Sequence, residues 1–197
     1  MPEILSRTAQ TTAVLTRSKL VWNDRNVSLS SKIQLMRSIV TSIFLFACES
    51  WTLTAKLQRR TWATEMRCYC KILPISYKDH VTKEEVCAKT QHAVRPHEGL
   101  LIIVKRRKLR WCGYVSRSSG RAKTILQGTV KGERRQGRQK KWEDNIREWT
   151  GMGFIKSQRA VEDREKWRKL VVKSSVVPQW PPWLRDRWKW RIFKDLT

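Results

Sequence analysis

A mainly α-helical fold, a small helix bundle with a short β-hairpin near residues 122–131 and a poorly ordered C-terminal tail, is what this sequence predicts. Three observations predict it. Apolar residues recur at every third or fourth position through several separate stretches, which is the period of a helix. Helix-start signals, a serine cap and a capping box, stand at the heads of two stretches. And 40% hydrophobic residues with 11 Trp in a 197-residue chain supply more apolar matter than a solvated basic tail would carry.

The first 22 residues, MPEILSRTAQTTAVLTRSKLVW, lack the charged start and continuous apolar run of a secretory signal. A structural helix accounts for them better than their Ser, Thr and Arg content read as a transit signal. In SLSSKIQLMRSIVTSIFLFA, residues 28–47, apolar side chains at Leu29, Ile33, Met36, Val40, Ile43 and Ala47 mark a helix stripe, and Ser28 or Ser30 can cap its first free amides. A second helix is expected after Thr54, with Ala63, Met66, Cys70 and Leu73 on one stripe, Arg60, Arg67 and Lys71 mostly off it, and Pro74 as its stop. The bundle over residues 5–73 is the part that the pattern defines best.

TKEE at residues 82–85 reads as a capping box, so a short helix should follow. Pro96 then suits a first helical position, and Leu100, Leu101, Val104, Lys108, Trp111 and Val115 form a stripe interrupted only by Lys108. Around it lie Lys105, Arg106, Arg107 and Arg110, giving one side to bury and a broad basic side to show. AKTILQGTVKG, residues 122–132, is rich in β-branched residues and broken by Gly128 and Gly132, which suits a short strand or hairpin. Helical pattern resumes at WEDNIREW, residues 142–149, and at SQRAVEDREKWRKLVV, residues 157–172, where Ala160, Arg164, Trp167 and Val171 share a face. The expected organisation is a helical region over 1–78, a basic helix, hairpin and Gly/Arg-rich loop over 79–150, a C-terminal helix over 151–176, and a Trp/Pro/Arg-rich tail over 177–197.

Charge narrows the function classes. The chain carries 42 Lys and Arg against 17 Asp and Glu, a formal +25, and the polyanions that match such an excess are nucleic acids or anionic membranes. The longest apolar run, SIVTSIFLFAC, has 11 residues where a span needs about 20, so no membrane partner is expected. Between Lys105 and Lys141 stand 14 basic residues and one acid, a net +13. A solvated helix face is the ordinary fate of a charge run, but a window this lopsided points to phosphate. The candidate contacts are Lys105, Arg106, Arg107, Arg110, Arg134, Arg135, Arg138, Lys140 and Lys141, of which the arginines can each fork two donors onto one phosphate. Such contacts carry little base information, so binding to RNA or DNA should be non-specific.

Catalytic signatures are missing. Asp24, Asp79, Asp144, Asp163, Asp186 and Asp195 are scattered, where two-metal phosphoryl transfer needs clustered carboxylates. No phosphate loop of the GxxxxGKS type occurs, and His80, His92 and His97 have no nucleophile motif near them. Cys48, Cys68, Cys70, Cys87 and Cys112 are five thiols in a chain with no export signal. An intracellular protein, nuclear or cytoplasmic, with reduced cysteines is therefore expected. Cys68-x-Cys70 with His80 and Cys87 lacks the paired spacing of a zinc knuckle, and Cys70 is better read as a small packed hydrophobe. No metal, cofactor, small-molecule substrate or enzymatic activity is expected.

Three ordered blocks, SLSSKIQLMRSIVTSIFLFACESWTLT, MRCYCKILPISYKDHVTKEEV and IVKRRKLRWCGYVSRSSGRAKTILQGTVKGERRQGRQKKWEDNIREWTG, resemble the region after the polymerase palm in non-LTR retrotransposon (LINE-type) reverse transcriptases. The likeness runs from about residue 5 to about residue 176. It implies a fragment comprising the thumb and the basic C-terminal region, which in the family are expected to grip template and primer. The endonuclease domain, the fingers and the palm with its catalytic aspartates would precede residue 1. The sequence departs from the family pattern in several places. Ser50 stands within Cys48-Glu49-Ser50-Trp51 where CETW is usual, and Cys70 where Arg is common. Tyr114 replaces the His of W-x-G-H-V, and Trp180 and Trp183 stand where Arg is common. Such changes look like drift in an unselected copy. The expected function is thus a catalytically inactive remnant that binds RNA or DNA through phosphates. The alternatives are a helical protein-interaction module or a non-functional pseudogene product.

Overall fold

A computed structural model of the chain describes residues 2–73, 75, 81–94, 98–127 and 140–175. Among these, ten α-helices and one short 3-10 turn account for the regular structure, and there is no strand. The chain forms two compact units that do not follow chain order: Met1–Phe46 with Ala55–Leu101, and Ala47–Thr54 with Ile102–Val177. Helix 83–93 belongs to the first unit and the short stretch 47–54 to the second.

The first unit holds α1 (Pro2–Arg17), α2 (Lys19–Asn23), α3 (Leu29–Phe44), α4 (Ala55–Ile72) and α5 (Lys83–Ala93). α1 and α5 each pack on α3 and α4, and α2 packs on α1 and α4. Where α1 meets α4 the contact is partly polar. Thr8, Thr12 and Thr16 follow one another at every fourth position, and each hydroxyl donates to the carbonyl four residues earlier at 2.8–2.9 Å. With their donors spent locally, the same oxygens can meet α4, where Arg67 and Lys71 donate to Thr12 and Thr16 at 3.4 and 2.6 Å.

α3 begins as its sequence indicates: the Ser28 hydroxyl accepts from the Ser31 amide at 3.1 Å. Its buried stripe is Ile33, Met36, Val40 and Phe44, so the expected ends, Leu29 and Ala47, are exposed. The stripe on α4 differs more. Ala63 is exposed and Cys70 half-buried, while Leu57, Thr61, Thr64, Glu65, Met66, Cys68, Tyr69 and Ile72 are buried, because α4 packs against α1, α3 and α5 and so buries two faces. α4 ends at Ile72; Pro74, its expected stop, lies outside the described residues. The Thr82 box forms in both directions: Thr82 Oγ1 accepts from the Glu85 amide at 3.3 Å and Glu85 accepts from the Thr82 amide at 3.1 Å.

α6 (Leu100–Arg117) starts at Leu100; Pro96, the expected first helical residue, lies outside the described residues. The amide of Leu100 donates to Glu65 Oε2 at 3.1 Å, and Tyr69 donates its hydroxyl to Glu65 Oε1 at 2.8 Å. Glu65 therefore caps α6 from inside the first unit. Burial raises its carboxyl to about 7, against the lowering effect of those two hydrogen bonds and of Arg37.

The second unit contains the rest of α6, then α7 (Arg121–Gln127), α8 (Trp142–Thr150), α9 (Phe154–Glu162) and α10 (Arg164–Ser175). The strand or hairpin expected over 122–131 is helical through Gln127, and residues 128–131 lie outside the described residues. Ala122, Leu126 and Gln127 favour helix, and the β-branched Thr124 and Ile125 are too few to override them. The single helix expected over 157–172 is two. The chain breaks at Asp163, whose carboxylate accepts from the amides of Glu165 and Lys166 at 3.1 and 3.0 Å and caps α10. α8 ends on Gly151, whose φ of 68° is the left-handed conformation that favours glycine.

The core of this unit is Leu109, Cys112, Ile146, Val161, Trp167 and Val171, with Trp142, Trp149, Ala160 and Leu170 partly buried around it. Trp167 and Val171 meet the expected face, whereas Arg164 is exposed. Trp167 donates its indole N–H to the carbonyl of Leu109 at 3.1 Å. A helix carbonyl is within its reach because residue 113, one turn later, is glycine: a methyl there would overlap the indole nitrogen.

Candidate nucleic-acid interface

α6 carries six cationic residues and no acid, but the helix divides them by angle. At 3.6 residues per turn, Val104, Lys108, Cys112 and Val115 fall on the buried side. Arg107, Arg110, Tyr114 and Arg117 fall on the opposite side. Lys108 was the apparent interruption in the apolar stripe, and it is fully buried.

What holds Lys108 is a cage built from α8 and the segment 47–54. Its ammonium donates to the Trp51 carbonyl at 2.7 Å and to Asn145 Oδ1 at 2.9 Å, and lies 4.5 Å from the Trp142 ring centroid. Asn145, also fully buried, pairs with Leu53 as one rung of a sheet would: the Leu53 amide donates to Oδ1 at 2.7 Å and Nδ2 donates to the Leu53 carbonyl at 2.8 Å. Trp142 donates its indole N–H to the Glu49 carbonyl at 2.7 Å. An extended segment without a strand partner thus has its backbone satisfied by side chains. Desolvation lowers Lys108 to about 7, and the nearby Lys140 adds to the effect.

The nine expected phosphate contacts separate accordingly. Arg107, Arg110 and Lys141 are exposed. Lys105 is half-buried with its ammonium 5.3 Å from the Trp149 ring centroid, and burial lowers its pKa against the opposing pull of Glu148. Arg106 is half-buried. Lys140 is half-buried and ion-paired with Glu148. Arg134, Arg135 and Arg138 lie outside the described residues. Arg117, which was not among the nine, donates to the Val161 carbonyl at 3.0 Å and keeps an exposed position beyond Arg110.

Trp111 lies between the two sides. It was expected in the buried stripe, yet it is 36% exposed and stands edge-on to Trp142, with ring centroids 5.5 Å apart and planes at 72°. Cys112, one residue on, takes the core position. Tyr114 is 70% exposed.

No metal-ligating cluster of His, Cys, Asp and Glu occurs among the described residues, and His80 and His97 lie outside them. Burial pushes the thiols of Cys68 and Cys87 up to about 12, and nearby Glu65 adds to the effect. No helix among the described residues is long and apolar enough to cross a membrane. Comparison with protein-family models, curated proteins and solved structures returns no match to this chain.

Proposed function

We propose that the chain binds RNA or DNA without sequence preference through phosphate contacts, and that it is a catalytically inactive remnant of a non-LTR reverse transcriptase. The observation that carries the reading is the outer side of α6. Arg107 and Arg110 stand exposed on a helix with no acidic residue, and Lys141 is exposed at the head of α8. A guanidinium or ammonium exposed in this way can reach an external phosphate. Each phosphate it neutralises releases condensed counterions, which favours binding and makes it salt-dependent. The order of the sequence blocks supports the ancestry, and the basic segment is where the resemblance places a grip on template and primer.

The test is fluorescence anisotropy with a labelled single-stranded oligonucleotide over a salt series, using the whole chain. Affinity should fall linearly on a log–log plot. Replacing Arg107, Arg110 and Lys141 together with alanine should reduce the slope by about 2, since each contact to a single strand contributes about 0.7. Absent or salt-independent binding by folded protein overturns the reading. Capture of a protein partner that survives the triple substitution favours an interaction module instead. Absence of a cooperative thermal transition favours a non-functional product.

A further inference from the structure

Phosphate contact uses the charges on α6 but leaves its aromatic residues unexplained. Tyr114, 70% exposed, follows Arg107 by seven residues and Arg110 by four, and precedes Arg117 by three, so all three arginines share its side of the helix. Trp111 lies three residues before it. Trp111 is braced edge-on by Trp142, which is itself fixed by its hydrogen bond to the Glu49 carbonyl. Two aromatic side chains, one of them braced by a neighbouring ring, thus stand within one turn of each other and beside exposed arginines, on a helix without a carboxylate.

We infer that Tyr114 and Trp111 form a stacking platform for unpaired bases, so that this helix takes single-stranded RNA or DNA in preference to duplex. The inference rests on the phosphate-binding reading above and adds to it the class of nucleic acid. In a duplex both faces of each base are covered by its neighbours, and a protein side chain meets only phosphates and groove edges. A single strand can turn a base face onto an aromatic ring while its phosphates reach the flanking arginines. Stacking of this kind tolerates any sequence because every base has a π-face. Three arginines around the aromatic pair favour a polyanion over an apolar protein surface as the occupant.

The experiment measures anisotropy of the whole chain with a labelled single strand and with the corresponding duplex, at one low salt concentration. Tyr114→Leu keeps apolar bulk at an exposed position but removes the ring. It should weaken single-strand binding by about tenfold, within the range that loss of one stacked base produces, while duplex binding changes by less than about twofold. Tyr114→Phe should bind like the parent, which also shows that position 114 tolerates substitution. If Tyr114→Leu binds the single strand like the parent while the Arg107→Ala, Arg110→Ala double variant weakens both nucleic acids, the stacking platform is overturned and phosphate binding stands. If the parent chain binds neither nucleic acid, phosphate binding itself falls and the platform with it.

Discussion

Asn145→Ala is the substitution that most directly tests how the second unit is held together. The side chain is fully buried and makes three hydrogen bonds, to the Leu53 amide, the Leu53 carbonyl and the Lys108 ammonium, at 2.7, 2.8 and 2.9 Å. Alanine removes all three and leaves three buried polar groups short of a partner. Each group so stranded costs about 1–3 kcal/mol. The ammonium keeps its bond to the Trp51 carbonyl, and water can enter the space vacated by the amide, so the total should be about 3–5 kcal/mol rather than the full sum. A domain is stable by only about 5–15 kcal/mol, so this is a large fraction. Urea unfolding followed by tryptophan fluorescence should show a much lower midpoint with a similar slope. Asn145→Asp retains acceptors for the Leu53 amide and for Lys108 and gives the ammonium a counter-charge, so it should fall between parent and alanine. A loss below about 1 kcal/mol for Asn145→Ala would refute the argument that this amide anchors residues 47–54.

Three further outcomes are expected. Lys108, lowered to about 7 by burial, binds its proton less readily folded than unfolded, so stability should rise from about pH 7 towards pH 10. The limiting slope is about 1.4 kcal/mol per pH unit, and unfolding curves for Lys108→Met should lack that rise. Glu65, raised to about 7, has the opposite sign: the folded state holds its proton more tightly, so its contribution declines as pH climbs from the ordinary carboxylate range through 7. Urea midpoints of Glu65→Gln measured beside the parent across that window should show a flatter profile. Gly113→Ala should destabilise by about 1–3 kcal/mol through overlap with the Trp167 indole, read as a lower thermal midpoint with loss of near-UV tryptophan dichroism.

Much of the helix plan was legible because the elements carry their own start signals. Ser28 and Thr82 each lie where a hydroxyl can satisfy an amide three residues on, and both do so. Which residues of each stripe face inward was less legible, since α4 packs against four neighbours and a single-face pattern cannot describe it. The break at Asp163 was hidden by a continuous apolar period, although Asp followed by Arg-Glu-Lys is a cap signal that periodicity ignores. At the candidate interface, composition located the basic helix but could not sort its charges. Lys108 stood on the apolar stripe and looked like an interruption. The missing signal was on α8, where Trp142, Asn145 and Trp149 recur at i, i+3 and i+7 and place two rings and an amide oxygen on one side.

The type of each cation on α6 matches where it sits. An arginine keeps its proton at any pH a folded protein meets, so in the position of Lys108 it would carry the full cost of a buried charge. A lysine can shed one proton and still donate to two acceptors, and the cage offers two, the Trp51 carbonyl and Asn145 Oδ1. The ring of Trp142 accommodates the third proton when it is present. On the exposed side, where solvent meets the charge and planar forks suit phosphate, the helix shows Arg107, Arg110 and Arg117. Formal charge therefore overstates what this helix offers a ligand. Lys108 is committed to folding, Lys105 lies half-buried against Trp149 and Arg117 also holds the Val161 carbonyl, so the salt dependence of binding should follow the exposed arginines and not the net charge of the segment.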